Sequence, residues 1–309
     1  MREDEAGRLE QVIDLATEAG DFATAEEIAG RYVFATPSAP PADLDGVEQS
    51  LARTPWFRSR YLACRLALSA GWLDLAAQRA EELMTEVDAR RQRLPEELTR
   101  RLQLTLAEAH ARRAILGRDP HHALARSFLA SAQQSANLNL LAPNLRAWEL
   151  RVRLALGEIT RLADPLDQVL KALTQARDWS TAAHLLSEFG RAWLELGRLD
   201  EAERLLSQAE ELWSRAGPLL GPDPARASTD LLRGRLAHVR GQWQPALDAY
   251  DRCERSASPA RGSPLVLEVR LRRALLKMDL NQPEAARAGY SGAIHGWSQF
   301  PEELQGLVR

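Results

Sequence analysis

Glycine recurs along this chain at the spacing of a helical hairpin. Gly20, Gly71, Gly117, Gly157, Gly197 and Gly241 are followed by Asn281 in the same role, at intervals of 51, 46, 40, 40, 44 and 40 residues. Gly and Asn are the residues that best tolerate the left-handed backbone just past a helix end. Other positions repeat around these corners. Two residues on comes Phe22, Leu73, Leu199, Trp243 or Pro283, and five residues on comes Ala25, Ala76, Ala202, Ala246 or Ala286. The last three units agree further. Gly190, Gly234 or Ala274 stands seven residues before the corner, Leu206, Tyr250 or Tyr290 nine after it, and Ala209, Cys253 or Ala293 twelve after it. Small residues let two antiparallel helices approach, and the bulky one fills the gap beside them. One such hairpin leaves an apolar face uncovered, so each unit requires the next.

Composition points the same way. Leu, Ala, Glu, Gln and Arg, all strong helix formers, dominate, and no segment alternates with the period of two that a strand needs. We expect helices at about 4–19, 22–33, 56–70, 73–92, 96–116, 121–136, 143–156, 160–176, 178–196, 199–216, 225–240, 243–257, 264–280 and 283–299. Phe34 to Gly46, with Pro37, Pro40 and Pro41, reads as a loop. The whole of 1–309 then forms one repeat domain. It has an irregular part at 1–53, divergent repeats over 54–177, better-matching ones over 178–299, and a tail or cap at 300–309.

The corner series resembles the tetratricopeptide-repeat (TPR) superfamily, specifically over 178–297 and more loosely over 4–177. That resemblance implies an all-α, right-handed α-α superhelix of about seven antiparallel helix pairs. Two features depart from the family pattern. The units run to 40 residues or more instead of about 34, and His122 and Leu162 stand where Ala is expected. Longer helices of this kind are also similar to the helical-repeat sensor domain of maltose-regulator-like transcription factors, although no ATPase or DNA-binding motif accompanies them.

Reactive chemistry leaves little trace in the sequence. The proline-rich Gly217–Pro224 segment lacks the Lys-Ser/Thr of a phosphate loop, and neither Cys-x-x-Cys nor His-Glu-x-x-His occurs. His121 and His122 point in different directions on a helix and read as a solvated helix start, not a metal site. Cys64 and Cys253 occupy small-residue packing positions and read as buried, inert thiols. Trp193, Trp213 and Trp243 read as core, whereas Trp72 and Trp148 are candidates for partial exposure. We therefore expect no catalytic residue, no metal and no cofactor.

One polar pattern stands out. Six residues before the corners from Gly71 onward lie Arg65, Ala111, Arg151, Arg191, Arg235 and Leu275, so four of these six are Arg. Helical geometry places Arg58, Tyr61, Asn144, His184 and Ser187 on the same face. The TPR resemblance implies that this face lines a concave groove. A guanidinium row attracts an acidic or phosphorylated segment or a terminal carboxylate. All basic residues but Lys171 and Lys277 are Arg, which is equally what a GC-rich genome produces.

The leading functional reading is thus a non-catalytic protein–protein interaction scaffold or adaptor that binds an acidic or extended segment of a partner. The alternative is an effector-sensing regulatory domain. The formal charge of -3 argues against direct nucleic-acid binding. Two cysteines, an acidic Met1–Glu5 start and no long apolar run point to a cytoplasmic protein without a membrane partner. Leu304, Leu307 and Val308 near the end leave self-association open.

Overall fold

The computed structural model describes residues 57, 60, 61, 64, 65, 67, 68, 73–89, 94, 96–115, 121–134, 143–217, 224–256 and 264–297. Among them every regular element is helical. The α-helices are α1 (Leu73–Ala89), α2 (Glu96–Ile115), α3 (His121–Gln134), α4 (Pro143–Ala155), α5 (Ala163–Gln175), α6 (Trp179–Glu195), α7 (Leu199–Ala216), α8 (Pro224–Val239), α9 (Trp243–Ser256), α10 (Pro264–Asp279) and α11 (Pro283–Trp297). These match the expected boundaries to within a few residues, with one exception. The helix expected at 160–176 opens as a 3-10 turn, Ile159–Arg161, and becomes α-helical only at Ala163. Pro165 explains the shift, because an imino acid is tolerated only in the first turn of an α-helix.

The corners close by one repeated hydrogen-bond pattern. After α6, the Gly197 amide donates to the Leu194 carbonyl and the Arg198 amide to the Trp193 carbonyl. The same pair recurs at Gly157–Glu158, Gly241–Gln242 and Asn281–Gln282. These are Schellman closures, which satisfy helix-end carbonyls at the cost of one left-handed residue. Gly157, Gly197, Gly241 and Asn281 indeed have positive φ. A further corner of this form was hidden in the sequence by its residue type. Arg177 has φ 58, its amide donates to Thr174, and the Asp178 amide donates to Leu173. Ala182, five residues on, keeps the pattern, while Asp178 caps α6 by accepting from the Thr181 amide at 3.1 Å.

The chain divides into two compact units, one within residues 4–169 and the other within 170–305. In the second, α6 pairs with α7, α8 with α9, and α10 with α11. Helix α8 also packs against α6 and α7, and α10 against α8 and α9, so the first helices of the three pairs lie side by side. Gly190 brings α6 onto Leu206 of α7, and Gly234 brings α8 onto the ring of Tyr250 in α9. The third pair inverts the arrangement, with Gly289 of α11 seated against Ala274 of α10.

Consecutive pairs are stapled at equivalent positions. Arg233 of α8 reaches Glu210 (2.8 and 2.6 Å) and Ser207 (2.7 Å) of α7. Arg273 of α10 reaches Glu254 (2.7 Å) and Asp251 (3.3 Å) of α9. Both arginines stand eight residues before a corner, and their partners stand ten and thirteen after the previous one. The repeat is therefore one of contacts as well as of sequence.

In the other unit, α2 is the hub and packs against α1, α3 and α4. Phe57, Tyr61, Cys64, Leu83, Leu98 and Leu102 form an apolar cluster with neighbouring side chains. No helix among the described residues is long and apolar enough to cross a membrane.

Candidate functional site

The arginine row separates into two settings. Within 4–169, Arg65 and Arg151 converge on a carboxylate that the row alone does not reveal, Glu108 of α2. Arg65 Nη1 lies 3.6 Å from Glu108 Oε2, and Arg151 Nη2 lies 3.8 Å from Oε1. Arg112, one turn along α2, bonds Glu108 Oε1 directly, and the Trp148 indole N–H donates to Oε2 at 2.7 Å. The Arg65 guanidinium also stacks over the Trp148 ring, 4.1 Å from its centroid. Burial alone would raise the Glu108 carboxyl, but Arg112, Arg151 and Arg65 outweigh it and hold the group down at about 2. Arg65, Glu108 and Trp148 are all buried. This arrangement ties α2 to α4 and to the helical segment carrying Arg65, a structural bond in the core.

Within 170–305, Arg191 and Arg235 lie on the layer formed by α6, α8 and α10. Arg191 is half-exposed and pairs with Glu188 of its own helix. Glu188, Glu268 and Glu195 together raise the Arg191 guanidinium pKa. Arg235 sits between Glu195 of α6 (3.8 Å) and Glu268 of α10 (3.9 Å). Glu268 also lies 3.5 Å from Arg272 of α10. Contacts of this length are ion pairs without a hydrogen bond, and near a surface they contribute little. Beneath them Ser187 and Thr229 share a buried hydrogen bond of 2.7 Å, and the Trp213 indole N–H donates to Thr229 at 3.0 Å. The exposed face is thus charged on both signs, over a rigid floor.

The other residues of the predicted face scatter. Tyr61 belongs to the core, nearly parallel to Phe57 with centroids 5.8 Å apart. His184 is buried in α6. Asn144 lies in the first turn of α4, where its side-chain oxygen accepts from the Leu145 amide at 2.8 Å. Arg58 lies outside the described residues, as does Trp72. Trp148, expected on a helix flank, is buried because its N–H has Glu108 to bond. Trp243, expected in the core, is 38% exposed beside the Gly241 corner, whereas Trp213 is buried. Both cysteines are buried, and burial pushes each thiol up to about 12, which leaves negligible thiolate near neutral pH.

A second column in the sequence marks what the arginine row missed. Nine residues before the last five corners stand Glu108, Trp148, Glu188, Leu232 and Arg272, three residues ahead of the arginine position and one turn away. Glu108, Trp148 and Glu188 each meet an arginine of their own or a neighbouring helix. No protein-family model matches the chain, and no curated protein matches it either.

Proposed function

We propose that this chain is a non-catalytic helical-repeat adaptor of TPR type, whose pairs continue as a right-handed α-α superhelix of about seven. The α6/α8/α10 face is its docking surface for an extended segment of a partner protein. The observation that carries this reading is the layer itself: three helices held side by side, with Arg191, hydrogen-bonded to Glu188, and Arg235, 3.8 Å from Glu195 and 3.9 Å from Glu268, at equivalent positions. An acidic side chain on the partner competes for these guanidiniums. Because the face carries its own carboxylates, the expected affinity is modest, and the partner places acids opposite the arginines without being acidic throughout. Arg65 takes no part in this docking, since it is buried against Glu108 and the Trp148 ring.

The test is a pull-down from native lysate with wild type, Arg191→Glu/Arg235→Glu, and Arg151→Glu, each checked for an unchanged helical circular-dichroism spectrum. A protein retained by wild type and lost with the double variant supports the reading. Equal retention by wild type and the folded double variant overturns it.

A further inference from the structure

His110 of α2 and His121 of α3 lie on helices that pack together, and their rings meet nitrogen to nitrogen. The two Nδ1 atoms are 3.2 Å apart. The ring planes differ by 16° with centroids 5.4 Å apart. His121 opens α3 and is partly exposed, as its sequence suggests, but its ring meets a buried neighbour. His110 is 2% exposed, parallel to Phe128 of α3 with centroids 5.6 Å apart. Its Nε2 lies 3.5 Å from Glu81 Oε1 of α1.

The protons on this pair have one consistent arrangement. Glu81 favours a hydrogen on His110 Nε2, which leaves His110 Nδ1 as an acceptor. His121 Nδ1–H is then the donor. A proton added at the other nitrogen of His121 preserves the bond and strengthens it by making the donor cationic. A second proton has only His110 Nδ1 to occupy, where it faces the His121 N–H. The bond is then lost, and two cations are held about a hydrogen-bond length apart.

We infer that the His110–His121 pair is a proton-operated latch that holds α3 against α2 when at least one ring is neutral and releases it when both are charged. The surrounding charges set the direction. Arg113 of α2 is paired with Asp74 of α1, Glu81 is the facing carboxylate, and His122 follows His121 on α3. Burial foremost, then Arg113 and His121, depress the His110 pKa against the opposing pull of Glu81. A base depressed in the folded state binds protons better when unfolded. Its contribution is complete above about 6.5 and is lost as pH falls below that toward the depressed value.

The test is hydrogen exchange read by mass spectrometry on the full chain at pH 7.5 and 5.5, with rates corrected for intrinsic exchange. The comparison is wild type against His121→Gln. Gln offers its N–H to neutral His110 and its oxygen to protonated His110, so it keeps contact in both states. Protection over 121–134 is expected to fall roughly tenfold in wild type on acidification and less than about twofold in the variant. An equal fall in both, or none in wild type, overturns the latch. So does an imidazole nitrogen spectrum at pH 7.5 that places the His110 proton on Nδ1.

Discussion

Replacing Gly234 by Ala would put a methyl carbon 2.3 and 2.4 Å from Cε1 and Cδ1 of Tyr250, where carbon–carbon contacts normally lie at about 3.5–4.0 Å. The ring is fully buried and cannot bend, so α8 and α9 must separate or the ring must leave its rotamer. Overpacking costs roughly 1–3 kcal/mol, and a rigid buried ring this close places the cost in the upper part of that range, about 2–3 kcal/mol. The helical preference for Ala over Gly returns about 1 kcal/mol, which leaves a net loss of about 1–2 kcal/mol. The equivalent change Gly190→Ala meets Leu206, at 3.0 Å from carbons of a flexible side chain, and the Ala202 carbonyl at an ordinary 3.7 Å, and should come out near zero. The decisive variant is Gly234→Ala/Tyr250→Leu, which rebuilds the α6–α7 contact inside the α8–α9 pair. Tyr250→Leu alone destabilises by removing a buried ring. In that background Gly234→Ala should come out near zero, as at Gly190, a coupling of roughly 1–2 kcal/mol. Urea midpoints of the four proteins, compared at matched m-values, measure it. A coupling below about 0.5 kcal/mol, or a neutral Gly234→Ala, would refute the claim that small residues set the helix approach.

Three further sets of changes probe the corners, the buried cluster and the staples. Arg177→Gly should raise stability by about 1 kcal/mol by relieving a left-handed arginine, and Gly197→Ala should lower it by about as much, both read as melting-temperature shifts. Glu108→Gln should cost about 3 kcal/mol in denaturant unfolding, since it leaves three guanidiniums around a neutral amide; a loss under about 1 kcal/mol would mean the cluster is not a core bond. The Glu108 carboxyl is depressed in the fold, so its contribution is present above the unfolded value near 4.5 and disappears as pH falls toward 2. Stability should therefore fall less with acidification in Glu108→Gln than in wild type. Arg273→Ala, which removes a staple at the surface, should cost no more than about 1 kcal/mol, and a larger loss would show that the staples carry the α9–α10 contact.

Helices and corners were legible because glycine, asparagine and alanine at fixed offsets report backbone geometry directly. Gly197 and Ala202 mark one corner with no help from distant residues. Arg177 marks an equivalent corner but violates the residue preference, and only Ala182 after it preserves the signal. Polar contacts were less legible, because a helical face tells which residues are neighbours along one helix and not what crosses from the next. Arg65 and Arg151 share the row with Arg191 and Arg235. Glu108, on the intervening helix, draws the first two to one carboxylate. Tyr61 illustrates the same limit, since its ring turns toward Phe57 and the apolar cluster. The ring contact of His121 was hidden for a related reason: its partner, His110, lies on another helix.

The claim that binding occurs on the α6/α8/α10 face is tested most directly by hydrogen exchange of the chain alone and with its captured partner. Docking there predicts slowed exchange in α6, α8 and α10, centred on residues 184–195, 228–239 and 268–279, with α7, α9 and the Glu108 cluster unchanged. Protection confined to α7, α9 and α11, or to residues 57–155, would contradict it.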